Sequence, residues 1–227
     1  MTDLNHRFIG AAASLGQQER ARTAPSPLYP VAKRAIDIAG AALGLVLLLP
    51  LFAVIALMIK LDDPKGPVIF KQIRIGKDGR PFWMYKFRSM VVNSEEILPQ
   101  LLDRNDLKGP MFKMKEDPRV TRVGKFLRKY SLDELPQLWN VLKNDMSLVG
   151  PRPALPREVE QYSALDRQRL TVMPGCTGLW QVSGRSGLSF EQMIELDLYY
   201  IRHRSIWLDL VLILKTFRAV LTCRNAY

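Results

Sequence analysis

The chain has 227 residues, enough for one domain with a sizeable core, or for a core plus a membrane segment. Lysine and arginine number 33 against 22 aspartates and glutamates, giving a net charge of +11. Such a balance favours acidic partners, whether nucleic acid, anionic lipid headgroups or phosphate-bearing substrates, without choosing among them. Cys176, Cys223, His6 and His203 show no metal-like spacing, which argues against a zinc site or a histidine-based triad and leaves carboxylates to carry the chemistry. The two thiols read as reduced and cytosolic.

Residues 1–30 are rich in Ala, Gln, Arg, Ser and Pro and read as a mobile tail, not a signal peptide. From Ile38 to Ile59 the chain carries no charge. As a helix this run would be roughly 33 Å long, close to the ~30 Å hydrocarbon thickness of a bilayer. Pro50 sits inside it and removes a backbone donor, so a break is expected there. Lys33 and Arg34 precede the run, and Lys60, Lys65, Lys71 and Arg74 follow it. Cations on both flanks give no inside–outside bias and suit a re-entrant hairpin over residues 31–60 that enters and leaves on one face. Asp37 is expected to pair with the neighbouring Lys33 and Arg34 near the interface.

Residues 61–227 have the composition of a soluble domain. The alternation from Val68 to Ile75, the turn Gly76-Lys77-Asp78-Gly79 and the aromatic stretch Phe82–Phe87 predict a β-hairpin. Helices are expected over 94–102, 120–129, 131–142, 156–172 and 189–202. The apolar stretch 206–221 contains Asp209, Lys215 and Arg218, so it reads either as an interfacial amphipathic helix or as a core helix. The fold class is therefore α+β, mainly helical with a small sheet.

The densest candidate site is SLDELPQLWNVLKNDMSLVGPRP, residues 131–153. Ser131 followed by Glu134 is a capping-box pattern, so Asp133 and Glu134 could be helix-start acids and nothing more. Pro136 weakens that reading, because it falls where a helical N–H is already needed. A later helix start would leave both carboxylates beside an anion-friendly N-terminus, where a shared phosphate calls for a hard cation such as Mg²⁺ held by Asp133 and Glu134. In Gly150-Pro151-Arg152-Pro153 the flanking prolines stiffen an arginine suited to a phosphate or planar base, or simply make a turn. Glycines and hydroxyls from Pro174 to Gly187 allow close backbone approach to a ligand, with Arg185 as its phosphate partner. Lys86 and Arg88 fall on one face if the second strand continues.

KFRSM at 86–90, the block 131–153 and PGCTGLWQVSGR at 174–185 resemble the monotopic phosphoglycosyl transferases, bacterial sugar transferases that prime glycan assembly on polyprenol phosphate. The match runs from about Lys33 to the C-terminus. The resemblance implies a membrane helix broken at Pro50, interfacial amphipathic helices and a small α/β catalytic region on the cytoplasmic face of the inner membrane. It makes Asp133 the nucleophile and Glu134 the Mg²⁺ partner. It assigns Arg152 to the nucleotide sugar and Arg185 to phosphate. Lys86 and Arg88, beside a phosphate site, become substrate ligands. The implied partners are a UDP-sugar, undecaprenyl phosphate and membrane lipid, with no nucleic acid; the apolar C-terminal helix could serve a homodimer. Subfamily likeness points to a hexose such as galactose or glucose and to exopolysaccharide or capsule synthesis. The competing readings are a membrane-anchored basic binding protein, and a single-pass glycosyltransferase that would release UDP.

Overall fold

A computed structural model of the chain describes residues 26–106, 109–112, 114–184 and 187–222. Most of the expected tail, Cys223 and the candidate phosphate ligand Arg185 lie outside the described residues.

The first helix, α1, spans Tyr29–Asp62, 34 residues. Pro30 is tolerated in its first turn, whose N–H groups lack intrahelical acceptors in any case. The helix stops at Asp63, where the backbone is extended at φ −147°. The expected helix–break–helix is not seen as two pieces: Pro50 lies inside one continuous helix. Losing one hydrogen bond bends such a helix without ending it, since the apolar flanks offer its backbone no competing partners. Ala41, from the N-terminal half, joins Met84, Val141 and Met146 in one cluster. Ile55 and Ile59, from the C-terminal half, join Phe87 and Leu127 in another. Between these anchors Leu43, Val46, Leu47 and Leu49 are exposed, the reverse of what a soluble helix would do.

Asp37 does not bond to Lys33 or Arg34. Its Oδ1 accepts from Ser147 Oγ at 3.0 Å and from the Leu148 amide at 2.9 Å. Lys33 instead reaches Asp209, and Arg34 donates to the carbonyls of Val141 and Leu142. The basic end of α1 is thus stitched to the folded body, and Asp37 gains two donors that lysine and arginine flexing toward water would not supply as rigidly.

Strands β1 (Ile69–Ile75) and β2 (Pro81–Phe87) form the expected antiparallel hairpin, in register from Ile69↔Phe87 to Ile75↔Pro81. Its turn places Asp78 and Gly79 at positive φ, 57° and 77°, conformations that Asp and Gly tolerate. The helix expected over 94–102 is a single turn, α2 (Ser94–Ile97), that tightens into a 3-10 stretch at Leu98–Arg104 around Pro99. Helix α3 (Arg122–Lys129) is capped by Thr121, whose Oγ1 accepts from the Gly124 amide at 2.9 Å. The region 131–142 is a 3-10 turn at Leu132–Glu134 followed by α4 (Gln137–Leu142). A second, parallel pair joins β3 (Ser147–Val149) to β4 (Gly175–Thr177), and nothing in the alternation of these short runs announces it. It requires glycine: a Cβ on Gly175 would stand 2.0 Å from the Gly150 amide nitrogen.

The helix expected over 156–172 is a short α5 (Pro156–Glu160) and a separate 3-10 stretch at Asp166–Thr171. Ser163 and Asp166 exchange side-chain bonds with each other's backbone and make the turn between them. After α6 (Leu179–Ser183), Ser189 and Gln192 form a capping box that opens α7 (Phe190–His203). Helix α8 (Ile206–Thr222) closes the described chain. The main core gathers Val149, Leu179, Trp180, Met193, Leu196, Tyr200 and Leu212 from β3, α6, α7 and α8. Helix α8 is part of the core on one side and apolar on its exposed side. Leu212 and Asp209 are buried, while Trp207, Leu214 and Phe217 are exposed.

Candidate active site

Ser131 adopts a left-handed conformation, φ 54°, and its side chain caps nothing, so the capping box expected with Glu134 is absent. The chain leaves α3, turns sharply, and makes one 3-10 turn before Pro136 starts α4. Leu132 and Leu135 pack into the cluster of Ile55, Ile59, Phe87 and Leu127. Those two leucines bracket Asp133 and Glu134 and fix them against the hairpin.

Asp133 is buried. Lys86, on β2, sets its Nζ 2.7 Å from Glu134 Oε1, and Arg152 Nη1 lies 3.3 Å from the same oxygen. The sequence thus placed Lys86, Arg152, Asp133 and Glu134 in separate motifs that the fold brings together. Arg88 goes elsewhere: its guanidinium is held by the side chain and carbonyl of Asp63, just past the end of α1. Alternation along β2 ceases at Phe87, and Arg88 turns toward that helix end. Asn140, fully buried, pins α4 to β2 by accepting from the Tyr85 amide at 3.0 Å and donating to the Trp83 carbonyl at 2.7 Å.

The two adjacent carboxyls are driven apart. Burial raises the proton affinity of Asp133, and the neighbouring Glu134 charge adds to it, against the pull of Lys86, Arg128 and Arg152. Burial also acts on Glu134, but Lys86 and Arg152 outweigh it and hold that carboxyl at about 2. Burial lowers the Lys86 ammonium, with Glu134 opposing. Glu134 therefore stays ionised throughout the neutral range, and Asp133 is the more basic of the two. A more basic carboxylate is the better nucleophile and the better proton acceptor.

The loop carrying Arg152 is gripped at each of four successive carbonyls. Pro151 O accepts from the Gly175 amide at 2.8 Å and Ala154 O from the Ile75 amide at 2.9 Å. Pro153 O accepts from Arg74 Nη1 at 3.0 Å, and Arg152 O from Arg169 Nη2 at 3.4 Å. Both arginines are buried; burial together with the charge of Arg152 lowers Arg74 to about 10. A shallow depression between this loop and Glu134 is lined by Arg74, Met84, Gln137 and Cys176, among others. Arg128, Asn140 and Arg169 were not singled out in the sequence, where each is only a polar position within an otherwise ordinary pattern, and Arg74 was read there only as a cation flanking the apolar run.

Among the described residues no cluster of three or more His, Cys, Asp or Glu could enclose a metal ion. Asp133 and Glu134 offer two hard carboxylate donors. That set fits Mg²⁺, which retains several waters and shares one or two carboxylates with substrate phosphates, and does not fit a closed all-protein site.

A sequence model described as bacterial sugar transferase matches residues 28–223, which includes every element from α1 onward. The chain belongs to the bacterial sugar transferase family. It is 49% identical over 192 residues to a galactosyl transferase, CpsE, of Streptococcus agalactiae, covering 84% of this chain and 42% of that protein. It is 44% identical over 199 residues to an undecaprenyl-phosphate galactose phosphotransferase of Salmonella typhimurium, covering 86% of this chain and 41% of that protein. This bacterial sugar transferase thus spans about four-tenths of the length of those two relatives. An exopolysaccharide production protein, ExoY, of Rhizobium meliloti is 40% identical over 205 residues, 88% of this chain and 90% of that protein.

Proposed function

We propose that this bacterial sugar transferase moves a sugar phosphate from a UDP-sugar to undecaprenyl phosphate through a covalent intermediate on Asp133. The observation that carries the reading is the split pair: a buried, basic Asp133 beside a Glu134 held ionised by Lys86 and Arg152. Names of relatives, including the Salmonella phosphotransferase and a UDP-galactose-lipid carrier transferase of Erwinia amylovora, support the substrate classes. The ExoY relatives support a role in exopolysaccharide synthesis, and the relatives' names span galactose, glucose and N-acetylgalactosamine, which supports a hexose or its N-acetylated form as the sugar.

In the first step a carboxylate oxygen of Asp133 attacks the β-phosphorus of the UDP-sugar. A bond from that oxygen to phosphorus forms, the bond from phosphorus to the bridging oxygen breaks, and UMP leaves with the electron pair. In the second step a phosphate oxygen of the lipid attacks the same phosphorus and the aspartyl oxygen leaves. The product is a lipid diphosphate-sugar, and Asp133 is regenerated as a carboxylate without net proton uptake. Glu134 and Asp133 would hold Mg²⁺, which offsets the charge on the phosphoryl oxygens when bound. Arg152, its loop fixed at four carbonyls, grips the nucleotide sugar at small entropic cost. Arg185 adds a phosphate ligand on the strength of its motif.

The membrane reading completes the proposal. Both halves of α1 pack on one body with the exposed apolar stretch between them, which supports a helix that dips into the bilayer and returns to the cytoplasmic face of the inner membrane. The exposed apolar side chains of α8 would lie in the same interface. Incubation with a panel of UDP-sugars and undecaprenyl phosphate, followed by nucleotide analysis, tests the reaction class. UMP is expected; UDP would make the protein a glycosyltransferase, and no nucleotide from any donor would favour a binding protein.

A further inference from the structure

We infer that Arg128 is the cation that receives the acceptor phosphate, a second anion site on the flank of Asp133 not served by Lys86 and Arg152. The assignment deepens the two-step reading above and rests on it. Two phosphates must reach Asp133 in turn, one bearing a nucleotide and one bearing a long apolar chain. Lys86 and Arg152 are both committed to Glu134 Oε1. Arg128 is not. Its Nε donates to Ser89 Oγ at 3.0 Å, and no described residue pairs with either terminal nitrogen. Its charge falls more strongly on Asp133 than on Glu134. The other acid it feels, Asp117, is already gripped by Arg119 through Nε at 2.9 Å and Nη2 at 2.7 Å. Arg128 thus presents the two-nitrogen fork that matches a phosphate monoester, beside the nucleophile and fixed at its third nitrogen.

Its place in the fold says which phosphate. Arg128 lies in the last turn of α3, and α3 packs on the C-terminal half of α1: Leu127 is buried with Ile55, Ile59 and Phe87. The Val123 amide donates to Asp62 at the end of α1. The two packed helices leave Leu57, Leu61 and Phe126 exposed, an apolar surface along which a polyisoprenyl chain can lie while its phosphate reaches Arg128. A UDP-sugar, with no apolar tail, has no use for that surface. The ligand is therefore the phosphate monoester of a long-chain alcohol.

The test uses the full chain in lipid nanodiscs as wild type, Arg128→Gln and Arg128→Lys. Two quantities are read: the burst of UMP from UDP-sugar without acceptor, and the KM for polyprenol phosphate in complete turnover. In Arg128→Gln the acceptor KM should rise at least tenfold while the UMP burst falls less than threefold, and Arg128→Lys should recover part of the acceptor KM. Inorganic phosphate should compete with the acceptor in wild type and less so in Arg128→Gln, whereas neutral polyprenol should not compete. An unchanged acceptor KM, or burst and acceptor step falling together, overturns the assignment. If Arg128→Gln does not fold, as judged by its melt, Arg128→Lys carries the same comparison. If wild type releases no UMP, the two-step reading fails by itself, and equilibrium binding of polyprenol phosphate to wild type and Arg128→Gln still decides for or against Arg128.

Discussion

Replacing Arg169 by methionine removes one clamp on the Arg152 loop and leaves a buried acid without its cation. Arg169 Nη2 lies 2.7 Å from Asp197 Oδ2, and Asp197 is completely buried. Arg169 also donates to Tyr162 Oη at 2.8 Å. Burial pushes Asp197 up to about 6, against the attraction of Arg169. An unfolded aspartate titrates near 3.9, so between about pH 4 and pH 6 the folded state binds more protons, and stability falls as pH rises through that window. At pH 7 ionising this acid costs the wild type about 3 kcal/mol, and keeping it protonated once Arg169 is gone costs about 4 kcal/mol. The difference is roughly 1 to 2 kcal/mol, and loss of the Tyr162 bond and the longer Arg152 contact adds about 1.5 kcal/mol. The expected deficit is about 3 kcal/mol at pH 7 and about 1.5 kcal/mol at pH 5, where Asp197 is mostly protonated in both proteins. Tryptophan-fluorescence melts in detergent at the two pH values measure it. Arg169→Met combined with Asp197→Asn should recover only the pH-dependent part, and KM for the UDP-sugar should rise in both variants as Arg152 loosens. A deficit as large at pH 5 as at pH 7 would refute the ionic account of this pair.

Glu134→Gln removes the shared partner of Lys86 and Arg152, so UMP release should fall at least about 100-fold and lose its Mg²⁺ response; an unchanged Mg²⁺ titration counts against the metal role. Asn140→Ala strips three hydrogen bonds, to Tyr85, Trp83 and Asp145, from a fully buried site. It should destabilise by about 2–3 kcal/mol, read as a lower melting temperature with the site chemistry otherwise retained. Single cysteines at positions 28 and 65, flanking α1, should both be labelled from the cytoplasmic side in sealed vesicles. Labelling from opposite sides would contradict the re-entrant reading.

The parts legible in the sequence are those governed by local pattern. The β1–β2 hairpin follows from alternation around Gly76–Gly79, α7 from a helical period, and α1 from an uncharged run. Where local rules competed with long-range contacts they gave the wrong detail. Ser131 and Glu134 have the spacing of a capping box, yet the left-handed Ser131 and the packing of Leu132 and Leu135 against the Ile55–Leu127 cluster dictate a different turn. Lys86 and Arg88 share a face only while the strand lasts, and Asp63 captures Arg88 beyond it. The β3–β4 pair and the grip of Arg74 and Arg169 on the Arg152 loop join residues distant in the chain, and no spacing rule reports such partners. Asp209 reads as a charge interrupting an apolar helix, but it is the acceptor of Tyr29, Lys33 and Tyr200, which ties α8 to the start of α1.

Covalent catalysis on Asp133 is tested most directly by the mass of the intact protein after incubation with a UDP-sugar and Mg²⁺ in the absence of lipid acceptor. A single added sugar phosphate, located by peptide mapping to Asp133 and discharged by polyprenol phosphate, is the expected result, with UMP appearing in equal amount. Asp133→Asn should show neither adduct nor UMP. An adduct on another residue, or UMP release that survives in Asp133→Asn, would contradict the assignment of Asp133 as nucleophile.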